Sequence, residues 1–192
     1  MDPIDGAKLA LRDQIVTARG RLPLAELAER ARAVAAQLTA VPEVRRAATV
    51  AAYVSVGREP GTGPLLEALA DAGKRVILPL LQPDNDLEWA TYTGAEGLVR
   101  AGRGLLEPVG PALGPEAIAT ADVVVVPGLA VDRTGLRLGR GGGSYDRALG
   151  RVPLGTFTCV VLNDDEVFDA VPAAPHDRRV TAAATDQRLL RF

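Results

Sequence analysis

The chain has 192 residues and a formal net charge of −2, long enough for one substantial core and with nothing that demands a second domain. Charge this close to balance gives no support to a non-specific nucleic-acid or membrane-surface role. A single cysteine, Cys159, and a single histidine, His176, argue against a zinc site and a histidine-based triad.

Met1 to Arg12 is charged without a secretory apolar core, and no apolar stretch reaches membrane-span length, so a cytoplasmic protein free of membranes is expected. Ile4 to Arg19 carries Leu11, Ile15 and Ala18 at helical spacing. Lys8 and Arg12, four apart, share a face and are placed to grip one anion, although solvated basic residues are the commoner outcome. A second helix is expected from Pro23 to about Leu38. Ala48 to Val56 is a continuous apolar strand ending in a turn, followed by a helix over Leu65 to Ala72 and a strand at Arg75 to Leu80. That strand-helix-strand unit implies parallel pairing and puts Glu59 at the carboxyl end of a strand, where open α/β sheets gather ligands.

Leu87 to Thr93 is expected as a further strand, antiparallel or at an edge, with Trp89 and Tyr92 in the core. Gly94 to Gly114 reads as an ordered loop and Pro115 to Ala121 as a short helix. Strands are expected at Asp122 to Val126, Thr156 to Leu162 (with Cys159 as a small core residue) and Val180 to Thr185. Together these elements form a three-layer α/β/α single domain with a mostly parallel sheet.

Val123 to Leu149 is the stretch around which the rest is organised. Gly139, Gly141, Gly142 and Gly143 permit positive φ and clear a concavity for backbone N–H groups. Arg137 and Arg140 add forked donors suited to phosphate, and Ser144 stands where a helix N-cap would aim a positive end at the same anion. The string is neither a Walker A loop nor the G-x-G-x-x-G dinucleotide fingerprint.

Pro127-Gly128-Leu129-Ala130-Val131-Asp132, followed by Gly135-Leu136-Arg137-Leu138-Gly139-Arg140-Gly141-Gly142-Gly143-Ser144-Tyr145-Asp146-Arg147, closely resembles the signature of the 5-formyltetrahydrofolate cyclo-ligases, also called 5,10-methenyltetrahydrofolate synthetases. Lys8 with Arg12, Glu59 with Thr62, Glu107-Pro108, and Val171-Pro172 with His176-Asp177 resemble further family motifs in the same order. The resemblance implies one domain over residues 1–192, with a fold similar to the NagB/RpiA/CoA transferase-like fold. It implies a cytoplasmic, monomeric ligase that uses ATP and Mg²⁺ to convert 5-formyltetrahydrofolate to 5,10-methenyltetrahydrofolate.

Carried over, the resemblance makes Arg140, Arg137 and Tyr145 catalytic. It assigns ATP to Lys8, Arg12, Arg137, Leu138, Gly139, Arg140, Gly141, Gly142, Gly143, Ser144 and Tyr145. Folate falls to Arg12, Val54, Glu59, Arg140, Gly141, Gly142, Gly143 and Ser144, and the metal to Asp146 and Asp177. Val131, Ser144 and Arg103 depart from the family pattern, which often has aromatics there. A non-catalytic nucleotide- or folate-binding regulator on the same fold is the alternative.

Overall fold

The computed structural model describes residues 3–192. Helices α1 (Pro3–Gly20), α2 (Leu24–Ala40) and α3 (Pro42–Arg46) lead into strand β1 (Thr49–Ala51), helix α4 (Gly63–Asp71) and strands β2 (Arg75–Leu81) and β3 (Leu87–Thr91). A small hairpin follows, β4 (Leu98–Arg100) with β5 (Leu106–Pro108), and then a 3₁₀ turn at Pro115–Thr120. Strands β6 (Val123–Pro127), β7 (Ala130–Asp132) and β8 (Arg137–Leu138) precede helix α5 (Ser144–Gly150). The chain ends with β9 (Phe157–Val161), β10 (Val167–Phe168), β11 (Ala182–Ala184) and β12 (Leu189–Arg191).

The main sheet has the order β12-β11-β9-β6-β1-β2-β3, parallel except for the two edge strands β12 and β3. Strand β3 is therefore both antiparallel and at an edge. Valines in β6 show why a continuous apolar run was the right signal: Val123 and Val125 face one cluster and Val124 and Val126 the other, all buried. On one face α2, α3 and α4 contribute Val34, Leu38, Val44, Leu65 and Leu69. On the other lie Ala148 and Leu149 of α5 and Ile118 of the 3₁₀ turn, which completes the three layers. Trp89 is 1% exposed and belongs to the core, as does Cys159, whose thiol burial pushes up to about 12. Tyr92 packs half-buried against the same core.

Several elements differ from the sequence expectation. The strand expected over Ala48 to Val56 is paired only at Thr49–Ala51, because beyond it the chain leaves the sheet: Ser55 N and Tyr53 O bond the Thr62 hydroxyl instead of a neighbouring strand. The segment Gly94 to Gly114 contains the β4–β5 ladder, and Pro115–Thr120 is 3₁₀ rather than α-helical. A second sheet, β10-β7-β8, and the edge strand β12 were not foreseen.

This second sheet and Ile15 of α1 form a separate cluster with Leu129, Leu136, Leu138 and Val171. Its turn is built on Asp132, which accepts hydrogen bonds from Thr134 N at 2.8 Å, Thr134 Oγ1 at 2.6 Å, Leu136 N at 3.1 Å and Val171 N at 3.4 Å. Burial opposes the charge, but these donors outweigh it and hold the carboxyl pKa below the ordinary value. A folded value below the unfolded one stabilises the protein above about pH 4, and that contribution is lost as the pH falls through the folded value. Asp132→Asn is accordingly expected to lower stability at neutral pH and to flatten its decline below pH 4. Urea titrations of both proteins at a series of pH values measure the two slopes.

Candidate active site

A cavity of about 440 Å³ opens where the central parallel strands end. Tyr53, Val54 and Glu59 come from the chain after β1, Pro79 and Leu81 from the end of β2, and Pro127 and Gly128 from the end of β6. Ligand sites in α/β sheets gather at this edge because the loops leaving adjacent strands diverge there. The glycine stretch, Gly139 to Ser144, with Tyr145 and Asp146, completes the lining.

Gly141 has φ +100° and Gly143 φ +72°, backbone states that side chains rarely adopt. Gly143, not Ser144, occupies the cap position of α5, and no side chain caps it. The left-handed glycine ends the loop by itself, so Ser144 becomes the first helical residue with its backbone in the cradle wall.

Arg137 and Arg140 have opposite environments. Arg137 is 4% exposed; its Nη1 donates to Pro127 O at 3.0 Å and its Nη2 to Asp146 Oδ1 at 3.3 Å, and its guanidinium carbon lies 5.9 Å from the Tyr145 ring centre. Burial pulls its pKa below the usual guanidinium value, against the charge of Asp146. Its Nε and the Tyr145 hydroxyl are buried polar atoms without a partner, on two residues that line the cavity. Burial also pushes the Tyr145 phenol well up, reinforced by the charge of Glu59, so this hydroxyl is a proton-bearing donor. The Arg140 side chain is 60% exposed and reaches Glu59 Oε1 from Nε at 3.1 Å and Nη2 at 3.0 Å. Glu59 Oε2 accepts from Val56 N at 2.9 Å.

Helix α1 lies against the cradle from outside the cavity wall. Arg12 Nε donates to Gly139 O at 2.8 Å, and Lys8 Nζ pairs with Asp177 Oδ2 at 2.5 Å. Lys8 is 5% exposed, so the commoner outcome of a solvated helix face does not hold for it. Asp177 Oδ2 also accepts from Ala174 N at 2.7 Å; burial opposes its charge, but Lys8 and this amide hold its pKa below the ordinary value. Asp146 Oδ1 accepts from the backbone of Arg178 at 3.0 Å, which brings Asp146 to the residue following Asp177. The two chain segments that carry these carboxylates, remote in sequence, therefore meet at this bond, while the Asp177 carboxylate itself is engaged by Lys8 and does not line the cavity. Leu138 stands apart from the cavity: its side chain is in the core, and its carbonyl accepts from Leu129 N at 2.8 Å. The hydroxyl of Thr62, 0% exposed, links Ser55 N and Tyr53 O, and Glu107 Oε1 accepts from Leu81 N at 2.8 Å; both shape walls.

The apolar wall was not read from sequence. It consists of Tyr53, Pro79, Leu81, Leu87, Leu105 and Leu106, contributed by four separate segments. Gly128 stands in the signature without a role of its own there. A Cβ there would stand 2.6 Å from Val160 Cγ2, so glycine lets the β6 end pack on β9 while its carbonyl accepts from Arg19 Nη2 at 2.8 Å.

A parallel sheet with an arginine-rich glycine loop and an apolar wall at its carboxyl edge defines an α/β protein equipped for an anionic, partly flat small molecule. The model of the 5-formyltetrahydrofolate cyclo-ligase family matches residues 4–186, and the chain belongs to that family. It is 46% identical over 145 residues to a 5-formyltetrahydrofolate cyclo-ligase of Mycolicibacterium smegmatis, covering 73% of this chain and 74% of the relative. It is 38% identical over 117 residues to the cyclo-ligase of Escherichia coli K12, with 60% and 64% covered. The solved structure of Aquifex aeolicus 5,10-methenyltetrahydrofolate synthetase superposes with a TM-score of 0.82 at 29% identity, covering 96% of this chain and 92% of that one.

Proposed function

We propose that this protein converts 5-formyltetrahydrofolate and ATP to 5,10-methenyltetrahydrofolate, ADP and phosphate. The observation that carries the reading is the cavity itself, where one wall is the Gly139–Ser144 loop with Arg140 and the other is apolar and ends in Glu59. Membership of the cyclo-ligase family supports the same reaction.

The N5-formyl group is an amide and a poor electrophile, so its oxygen must become a leaving group before N10 can close the ring. Phosphoryl transfer to that oxygen does so; N10 then attacks the carbon, loses its proton, and phosphate departs with the oxygen. Catalysis of such a transfer is positioning and charge stabilisation. Backbone N–H groups of Gly141, Gly142, Gly143 and Ser144 and the Arg140 guanidinium receive the phosphoryl oxygens. Arg12 supports the loop through Gly139 O and adds charge behind it. Lys8 holds Asp177, and Arg137 holds Asp146 and the end of β6. Tyr145 lines the cavity and carries an unpartnered, proton-bearing hydroxyl beneath its wall. Glu59 accepts N–H groups of the pterin, beside the backbone of Val54.

Asp146 and Asp177 suit a magnesium ion that keeps most of its ligands as water and phosphate oxygen. Asp146 Oδ2 accepts no hydrogen bond from the described residues. Among those residues no group of three or more His, Cys, Asp and Glu forms a protein-only cage. Magnesium there would supply charge neutralisation on the polyphosphate.

We further propose that residues 1–192 act as one cytoplasmic, monomeric domain with small molecules as its partners and no nucleic acid. Among the described residues no helix is long and apolar enough to cross a membrane. Purified protein with 5-formyltetrahydrofolate, ATP and Mg²⁺ is expected to develop methenyltetrahydrofolate absorbance, and to develop none when ATP is left out. Absence of product at high protein concentration would refute the reading.

A further inference from the structure

Three cationic side chains line the cavity: Arg103, Arg137 and Arg140. Arg137 is neutralised by Asp146 and Arg140 by Glu59. Arg103 has no carboxylate partner among the described residues; its Nη1 donates to the neutral amide oxygen of Asn85 at 2.8 Å. It stands at the exposed lip, in the turn between β4 and β5, next to Leu105 and Leu106 of the apolar wall.

The backbone singles out the same pair. Arg103 (φ +59°) and Asn85 (φ +65°) are the two non-glycine residues with left-handed φ among those described. Asparagine tolerates this state through its short polar side chain, whereas arginine has no such excuse. Each sits at the tip of a hairpin turn, and the tips meet in this one hydrogen bond. The β2–β3 tip is itself fixed to α5 and the residue that follows it: Arg151 grips Asp86 with two bonds of 2.8 and 2.6 Å, and Arg147 Nη1 donates to Asp84 O at 2.9 Å. Strained residues persist where the surroundings over-determine them, and such places cluster at ligand clamps. Here the fold holds an uncompensated guanidinium beside leucines at the rim of a cavity.

We propose that Arg103 is a specificity-determining residue that binds a carboxylate of the folate substrate's glutamate end, with the leucines covering the adjoining ring. This rests on the proposed cyclo-ligase reaction. A forked guanidinium matches a carboxylate in two parallel bonds, and the glycine loop with Arg140 already provides for phosphate elsewhere in the cavity. Asn85 is a positioning residue, since it touches Arg103 and not the substrate.

Steady-state kinetics of the whole protein test this with 5-formyltetrahydrofolate and with the primary amide of 5-formyltetrahydropteroate, a pteroate that lacks the glutamate and whose own ring carboxyl is capped as a neutral amide. Arg103→Ala is expected to raise KM for 5-formyltetrahydrofolate about tenfold, with kcat and the KM for ATP changed less than about twofold. The pteroate is expected to show no such difference between wild type and variant. Arg103→Lys should recover part of the loss because it keeps the charge, and Asn85→Ala should reproduce part of it. A KM rise that persists with the pteroate would assign Arg103 to the ring, a rise in the ATP KM would assign it to phosphate, and no rise would leave it without a substrate role; each overturns the proposal. Wild-type protein that turns over neither folate overturns the cyclo-ligase reading and this proposal together, whereas failure confined to the variants overturns this proposal alone.

Discussion

Arg140→Ala is expected to lower turnover by about 10²- to 10³-fold, the cost typical of removing one pre-organised donor to a developing charge, and to leave the fold in place. The separation of the two effects follows from exposure. The Arg140 side chain is 60% exposed, while its partner Glu59 is 9% exposed and keeps its bond from Val56 N, so removing the pair is expected to cost about 1 to 3 kcal/mol, short of unfolding a typical domain. Arg137 is the instructive contrast: at 4% exposure, with bonds to Pro127 O and Asp146, its truncation would open a buried gap, and lost activity there would not separate chemistry from folding. Arg140→Lys keeps the charge but not the fork and is expected to fall between wild type and Arg140→Ala. Turnover at saturating ATP and folate, set beside thermal unfolding followed by circular dichroism, measures both quantities. Wild-type turnover in Arg140→Ala would remove the residue from the reaction.

The main sheet was legible because its evidence is local and redundant. Val123 to Val126 and Phe157 to Val161 are buried on both faces, so every position except Thr158 is apolar and the run announces itself without a period. The second sheet lacked that redundancy. Strands β7, β8 and β10 are two or three residues long, too short for any alternation to register, and they are specified by Asp132 gathering donors from Thr134, Leu136 and Val171. The cradle was legible for the opposite reason: its chemistry lies in residue types at adjacent positions, where glycines and arginines are informative by themselves. The apolar wall and the Asn85–Arg103 contact come from segments that meet only in the folded chain. A left-handed arginine in particular has no sequence signature, because composition predicts glycine at such a position. Ser144 was misplaced by one residue because serine is the commoner helix cap, while here Gly143 already has the left-handed conformation.

Glu166→Ala is expected to destabilise the protein by about 3 to 5 kcal/mol, a large part of the roughly 5 to 15 kcal/mol typical of a domain. Arg19 of α1 is 3% exposed and Glu166 is 4% exposed. Arg19 Nε meets Glu166 Oε1 and Nη2 meets Oε2, each at 2.7 Å, and Asn163 donates to both oxygens from N at 2.8 Å and Nδ2 at 2.9 Å. Burial works to lower the Arg19 pKa, but the bonds to Glu166 outweigh it and the guanidinium stays charged. Without Glu166 that charge is left in the interior with Gly128 O as its remaining hydrogen-bond partner, and Arg19 Nη1 already lacks one. The size of the effect comes from the orphaned charge rather than from the value of the pair, and a double variant separates the two. Arg19→Met with Glu166→Leu removes both charges at similar volume and is expected to regain most of the stability that Glu166→Ala loses. The double variant also frees the Gly128 carbonyl, which forms part of the cavity wall at the end of β6, so its recovered stability should come without full recovery of KM. Urea unfolding of the three proteins gives the stability comparison. A loss below about 1 kcal/mol in Glu166→Ala would mean that water reaches Arg19 and that the pair is not buried in solution.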